Sequence, residues 1–470
     1  MIGKARESPY VWVAELKTEK ETPVARSKST RRGPLPSIQV RPDDPHLTRF
    51  AGLAPLLQFC TDQLQLTPAM ARIVGNTSKR THPVHLVLIA FLMANLAGVH
   101  RLRHIEELHD DALLNKLSRL KHWPVKKVFS RALAQLSEPA ITKLIDLIAT
   151  IGLTDIPHMT SAILDGDTTP LVCYGTQEGA QFGYCGKLGR NRRRHFPLVA
   201  SLAANRAVVS AKYRDGSSPK AEEVRDFLID ARERLAKHVP DVPVMMRLDS
   251  GFYSKLLTTW MLTEDIHFAI AFPLQAHLKK TLANGPFSTI DEDIDIAILN
   301  GEYLHLDQRL RVVVIRRVVH DPQAPPPGKT IASHPRYRYQ AILSSLDWDG
   351  VDIWRFYNDR GDCERIFKVG RQSLGLGCLV GQSFRANESA FLLRLLAFNL
   401  DRLFASHCAS EAADIAIVPV REGLMSRQRR YYRSLGRLVE HGHQLILRIS
   451  PSRLARCRWA FYAPHILRPA

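Results

Sequence analysis

Thr160-Ser161-Ala162-Ile163-Leu164-Asp165-Gly166-Asp167-Thr168-Thr169 is the stretch on which the reading of this chain turns. Its first half has strand character, over Thr160–Leu164, and leads directly into two acids. A carboxylate at the end of an apolar strand is costly to bury unless something neutralises it. Downstream, Pro197–Ala203 and Ala207–Lys212 read as strands around a turn at Asn205-Arg206, which makes three runs at hairpin spacing. A helix is then signalled by Ser218 as N-cap, Pro219 at the first helical position and Glu222 and Glu223 in the first turn, and it runs to about Lys237. The buried strand Val242–Leu248 ends at Asp249-Ser250-Gly251. A helix over about Tyr253–Glu264 and a strand over Ile266–Phe272 follow.

Three strands, helix, strand, helix, strand is an α/β order that matches an RNase H-like mixed sheet core, with an antiparallel meander before parallel crossovers. The core is expected over 156–274 and again over 337–405. Between them 275–336 reads as a β-rich insertion, with pieces at Tyr303–Leu306 and Arg311–Val319 and a Pro325-Pro326-Pro327-Gly328 break. The strand Tyr339–Leu346 resumes the core. One long helix is expected from about Gly350 to Leu374 and an apolar one from Asn387 to Phe404. Before the core, 46–155 has helical periodicity at Val84–Ala97, Ile105–Leu117, Val125–Leu136 and Ala140–Ile151. Lys116, Arg119, Lys121, Lys126, Lys127 and Arg131 crowd its later part, so a helical DNA-binding domain is expected there. Residues 1–45 read as a basic, disordered arm, either a phosphate-tracking segment or an inert tail. Residues 406–470 form a basic C-terminal region with a short strand at Gln444–Ile449.

The charge balance narrows the function. The 470 residues hold 65 Lys and Arg against 46 Asp and Glu, a net charge of +19. A folded domain with that imbalance repels itself unless a polyanion screens it, and nucleic acid is the usual polyanion. Seven cysteines, an odd number with no C-x-x-C pair, argue against a disulfide framework and a structural zinc site. The run Leu86–Val99, interrupted by Asn95, is too short to span a bilayer and reads as a buried helix. No secretory signal opens the sequence, so a cytoplasmic protein on DNA, with no membrane, is expected.

Metal-assisted phosphodiester chemistry needs hard oxygen ligands at strand ends and on a nearby helix. Asp167 (or Asp165) and Asp249 are the strand-end candidates. On the helix expected over 350–374, Tyr357, Arg360, Glu364, Lys368 and Arg371 fall on one stripe at spacings of 3, 4, 4 and 3. Ile353, Phe356, Cys363, Ile366 and Phe367 form the opposite, apolar stripe. That places one carboxylate among cations on the outward face. Tyr357 is then expected to stack or hydrogen-bond at a DNA backbone, and Arg360 and Arg371 to hold phosphates, with Lys368 beside them. Lys187, Arg190, Arg192, Arg193, Arg194 and His195 form a further cluster, expected to grip DNA near the first acidic strand.

Tyr357-x2-Arg360-x3-Glu364-x6-Arg371 resembles the Y-R-E-K signature of a large group of bacterial insertion-sequence DDE transposases, within the DDE group 1 branch, with Arg371 where the family has Lys. Leu164-Asp165-Gly166-Asp167-Thr168-Thr169 resembles the family's first Asp motif, and Arg247-Leu248-Asp249-Ser250-Gly251-Phe252 its second. The resemblance implies Asp167, Asp249 and Glu364 as catalytic acids, with Asp165 the alternative for the first. It also implies two Mg2+ ions, with Mn2+ as a substitute. The implied reaction is hydrolysis at an element's end followed by attack of the freed 3′-hydroxyl on target DNA. Terminal inverted repeats and target duplex are the expected partners, a homodimer on DNA the expected assembly, and the bacterial nucleoid the expected place. Two other readings stay open: a catalytically inactive, transposase-derived DNA-binding protein, and an RNase H-fold nuclease.

Overall fold

Successive residues of Arg311–Val318 alternate between two apolar layers: Val312 and Val314 join one buried cluster, Val313 and Ile315 the other. A strand apolar on both faces belongs in a sheet covered on both sides, and that sheet organises the larger part of the chain. The computed structural model describes residues 41–450 except 42, 76–80, 186–188, 190–191, 284, 302–305, 321–336, 415–422 and 443. They fall into two units, residues 130–403 and the two flanking parts 1–129 with 404–470.

The larger unit carries a nine-stranded mixed sheet. Its strands, in chain order, are β1 (Ala162–Thr168), β2 (Leu198–Leu202), β3 (Ala207–Lys212), β4 (Val244–Leu248), β5 (His267–Phe272), β6 (Ser288–Asp291), β7 (Ile294–Asn300), β8 (Arg311–Val318) and β9 (Tyr337–Ser344). Their order across the sheet is β6-β7-β8-β9-β5-β4-β1-β2-β3. β1 runs antiparallel to β2 and parallel to β4, with Asp167 opposite Val199 and Asp165 opposite Arg247. β4 and β5 are also parallel, so the centre is a parallel trio flanked by antiparallel pairs.

Helices α1 (Glu138–Gly152), α2 (Ala221–Ala236) and α3 (Lys255–Thr263) send Ala149, Val224, Phe227, Leu228, Leu257 and Met261 onto one face of this sheet. Helix α4 (Gly350–Asn358) covers the other with Ile353, Phe356 and Tyr357. α5 (Gly361–Ser373) follows, and the first part of α6 (Phe384–Asp414) also belongs to this unit. Asn399 of α6 ties it to the sheet and to α1, donating to Val208 O at 2.8 Å and Ile148 O at 2.9 Å.

Several expectations shift. The helix ending at Ala236 begins at Ala221 behind Lys220, so Ser218 and Pro219 precede its first turn rather than cap it. The stretch expected as a β-rich insertion holds a short helix, Ala276–Ala283, and then β6, β7 and β8, which lengthen the core sheet as antiparallel strands. Tyr303 and the Pro325–Gly328 break lie outside the described residues. The single helix expected over 350–374 is two. The N–H of Arg360 turns back to Tyr357 O, a 3₁₀-type closure, immediately before Gly361, a weak helix former. Glu138–Gly152, assigned from sequence to the helical domain, packs on the sheet instead.

The smaller unit joins both flanking parts of the chain. Leu47–Thr48 pairs with Gly436–His441, which pairs with Gln444–Ile449. Thr48 and the N–H of Arg49 donate to buried Asp111, whose carboxylate also accepts from Leu114 N–H at the start of helix Ala112–Ser118. Helix Val84–Leu96 is apolar around most of its circumference and buried, as its run of Leu, Val and Ala requires. Lys116, Arg119, Lys121, Lys126 and Lys127 are exposed. No helix of the described residues is long and apolar enough to cross a membrane.

Candidate active site

β1 and β4 lie side by side and parallel, so their C-terminal ends bring Asp167 and Asp249 to the same edge of the sheet. Carboxyl ends of neighbouring parallel strands are where α/β sheets present functional groups. Gly166, between the two acids of β1, is required by packing: a Cβ there would meet Leu248 Cδ2 at 2.6 Å and Phe252 Cε1 at 3.3 Å.

The two acids of β1 have different environments. Asp165 is buried and engaged by the fork of Arg247, Nε to Oδ1 at 2.6 Å and Nη2 to Oδ2 at 2.8 Å. Arg247 Nη1 then donates to Phe356 O at 2.9 Å, tying β1, β4 and α4 together. Both oxygens of Asp165 are thereby spent on holding the fold. Asp167 is also buried, but its Oδ1 accepts only a main-chain N–H, that of Thr168, at 2.8 Å, and its Oδ2 faces Arg360 Nη1 at 3.6 Å, too far for a hydrogen bond. Burial pushes the Asp167 carboxyl up to about 7. Asp249 and Glu364 push the same way, and Arg360 and the Thr168 N–H oppose them.

Arg360 sits at the centre of this charge cluster. Its guanidinium is buried at the break between α4 and α5. Nη2 donates to Glu364 Oε1 at 2.8 Å, so one planar fork spans Asp167 and Glu364. Burial draws its pKa down, but Tyr357, Asp167, Asp249 and Glu364 together hold it above the ordinary value. Nε and Nη1 of Arg360 are buried without a hydrogen-bond partner. Glu364 is the solvent-facing member, its side chain 65% exposed. Lys368 is exposed on the same helix, and Arg371 reaches back to Thr169 Oγ1 and to Pro170 O, at 3.1 Å for the latter, holding α5 to the end of β1.

Three sequence expectations need correction. Tyr357 does not face outward: it is 5% exposed, lies in the core under the sheet, and burial pushes its hydroxyl up to about 12. Once the helix breaks after Asn358, residues 357 and 364 no longer share one continuous stripe. Arg360 is internal for the same reason and pairs with carboxylates. Arg194 is likewise buried. It donates to Gly216 O at 3.2 Å and to Tyr184 O, and lies over the Phe196 ring at 3.8 Å.

His195, beside it, is fully buried between Tyr213 and the Glu178 carbonyl. Arg192 and Arg193 remain toward solvent, on the strand Arg192–His195. That strand pairs with Leu171–Cys173 and Gln181–Gly183 in a separate three-stranded sheet just after β1. Lys187 and Arg190 lie outside the described residues.

Arg247 and Thr169 stand inside the two Asp motifs, but the sequence alone assigns neither a role. Arg247 stands in an apolar strand directly opposite Asp165, a register visible only once β1 and β4 are paired.

Among the described residues no group of three histidine, cysteine or carboxylate side chains forms a ready-made metal cage. The donor set nonetheless suits a hard divalent cation. It offers carboxylate oxygens, one of them desolvated and accepting a main-chain N–H.

The chain belongs to the transposase DDE domain group 1 family, whose model matches residues 33–426. Such enzymes generally use divalent metal ions. Among curated proteins nothing matches. Among solved structures, the chain is similar to a piggyBac transposase in a cryo-EM synaptic complex with hairpin DNA. The likeness has 13% identity and a TM-score of 0.45, over 82% of this chain and 81% of that one.

Proposed function

We propose that this chain is a DNA transposase with an RNase H-like core, in which Asp167, Asp249 and Glu364 hold two Mg2+ ions, or Mn2+ in their place. The order β3-β2-β1-β4-β5, with only β2 antiparallel to its neighbours, supports the core assignment. The observation that carries the site assignment is the Arg360 fork, which lies against Asp167 and Glu364, while Asp249 follows the parallel strand paired with that of Asp167. Three acids from two strand ends and one helix thus share one electrostatic centre, and Asp165 is committed to Arg247.

Bound cations would activate the attacking oxygen and stabilise the leaving one. The chain's own residues do the rest. Arg247 and Asp165 fix the register of β1 on β4, and so the spacing of Asp167 and Asp249. Arg371, through Thr169 and Pro170, holds α5 and its Glu364 to the end of β1. Arg360 offsets the acids' mutual repulsion until DNA and cations arrive. Lys368 and Arg192 supply exposed cations for phosphates, with the half-buried Arg193 beside Arg192, and the basic helices of the smaller unit bind the element's ends. The protein acts as a homodimer on terminal inverted repeats and then on target DNA, in a bacterial cell.

The full chain, incubated with duplex carrying the DNA that flanks its reading frame, is expected to nick and join strands only with Mg2+ or Mn2+. Asp249→Ala should abolish both steps and leave DNA binding intact. A fully active Asp249→Ala protein overturns the assignment. Binding without cutting supports an inactive DNA-binding derivative, and cutting without joining supports a plain nuclease.

A further inference from the structure

The three-stranded sheet that follows β1 exposes aromatic side chains that its own fold does not need. Tyr174 is 84% exposed, Phe182 66% and Tyr184 61%. A solvated loop rarely keeps three large rings in water within eleven residues of chain, because each exposes apolar area that burial elsewhere would remove. Beneath them the sheet is firmly anchored. Gly216 N–H donates to Gly179 O at 2.9 Å, Gln181 Nε2 to Asp215 Oδ2 at 3.1 Å, and Phe196 N–H to Asp215 O at 2.9 Å. Arg194 passes under the strand at Gly183, where a Cβ would meet its Nε at 2.5 Å. The rings therefore project from a supported surface.

Two arginines of the adjoining strand, Arg192 and Arg193, stand beside the rings. Arg193 is the cross-strand neighbour of Phe182, and its guanidinium lies over the ring at 5.2 Å, so one face of that ring already stacks on a planar cation. Arg192 is exposed beside it. Aromatic rings interleaved with arginines form a surface that stacks bases and holds the intervening phosphates, and stacking of this kind tolerates any base. A paired duplex hides its base faces, so the matching ligand is unpaired nucleotides. The sheet begins three residues after Thr168, and Arg371 joins α5 to that connection at Thr169 and Pro170.

We infer that Tyr174, Phe182 and Tyr184 form a stacking platform for unpaired DNA bases beside the acidic centre, with Arg192 and Arg193 on the phosphates. The inference rests on the DNA-cutting reading above and adds to it a separate subsite for single-stranded flanks.

The test uses the full chain and fluorescein-labelled duplexes of one sequence, with and without an unpaired thymidine tail of about six nucleotides. Wild type is expected to bind the tailed duplex about tenfold or more tighter, the effect of one stacked base. The variant Tyr174→Ser/Phe182→Ser/Tyr184→Ser should melt with wild type, lose that preference, and bind the fully paired duplex within about twofold of wild type. A variant that keeps the preference, a wild type without one, or an equal loss on both duplexes would overturn the platform. So would a variant that changes from dimer to monomer without DNA, which would mark the rings as a self-interface. Cleavage by wild type, followed in the same preparation, separates the two ideas. If cutting persists with no tail preference, only the platform fails; if nothing is cut, the DNA-cutting reading fails.

Discussion

Nη1 of Arg360 stands 3.6 Å from Oδ2 of Asp167, and both side chains are buried. The pair does not fully offset the burial of the acid, whose carboxyl is pushed up to about 7, first by desolvation. Between the ordinary carboxylate range and about pH 7 the folded chain therefore holds a proton that the unfolded chain has released. Stability then falls as pH rises through that window and stays low above it. Without divalent cations, Asp167→Asn should melt higher than wild type at about pH 8, by at most about 4 kcal/mol, and match it at about pH 4. Thermal melts in a chelator at both pH values check this. A variant less stable than wild type at the higher pH would mean that the Asp167 charge supports the fold.

Asp165 should behave in the opposite sense. Its two-pronged pairing with Arg247 is buried, so Asp165→Ala leaves a cation without its partner and should cost about 3–5 kcal/mol in denaturant unfolding. Replacing both partners with apolar residues should recover much of that loss. A loss near zero for the single variant would remove Asp165 from its structural role.

Tyr357 separates packing from DNA contact. Tyr357→Ala should destabilise by about 3–5 kcal/mol, as aromatic truncation in a core does. Tyr357→Phe should keep DNA affinity, because the ring lies inside rather than at the surface. Filter binding and thermal melts distinguish the two. Weaker DNA binding by an otherwise stable Tyr357→Phe protein would place the hydroxyl on the nucleic acid.

Arg192 and Arg194, two residues apart on one strand, should part company under salt titration. Arg192→Ala should lower the slope of log affinity against log salt by about 0.9, the loss of one phosphate contact. Arg194→Ala should leave the slope unchanged and lower the melting temperature, since its guanidinium is spent on Gly216 O and Tyr184 O. Equal slopes for both variants would contradict the division.

The central strands were legible because their apolar runs and terminal acids carry the pattern locally: Val244–Leu248 before Asp249 needs no tertiary information. The inward turn of Tyr357 and Arg360 was not legible. It depends on a break before Gly361 that a helical wheel smooths over. Arg194 and His195 read as surface cations because no local pattern reveals that Gly216, Glu178 and Tyr213 enclose them. The division of the chain was hidden for a different reason. Pairing of Leu47–Thr48 with Gly436–His441 joins segments nearly four hundred residues apart, and helix Glu138–Gly152 looks equally amphipathic whichever core it faces.

Mn2+ binding to the DNA-free full chain, followed by electron paramagnetic resonance, tests most directly whether Asp167, Asp249 and Glu364 form one divalent-cation site. Asp167→Asn, Asp249→Asn and Glu364→Gln should each weaken Mn2+ binding by about tenfold or more, as expected when an oxygen ligand is lost. Wild-type affinity in all three variants would contradict it.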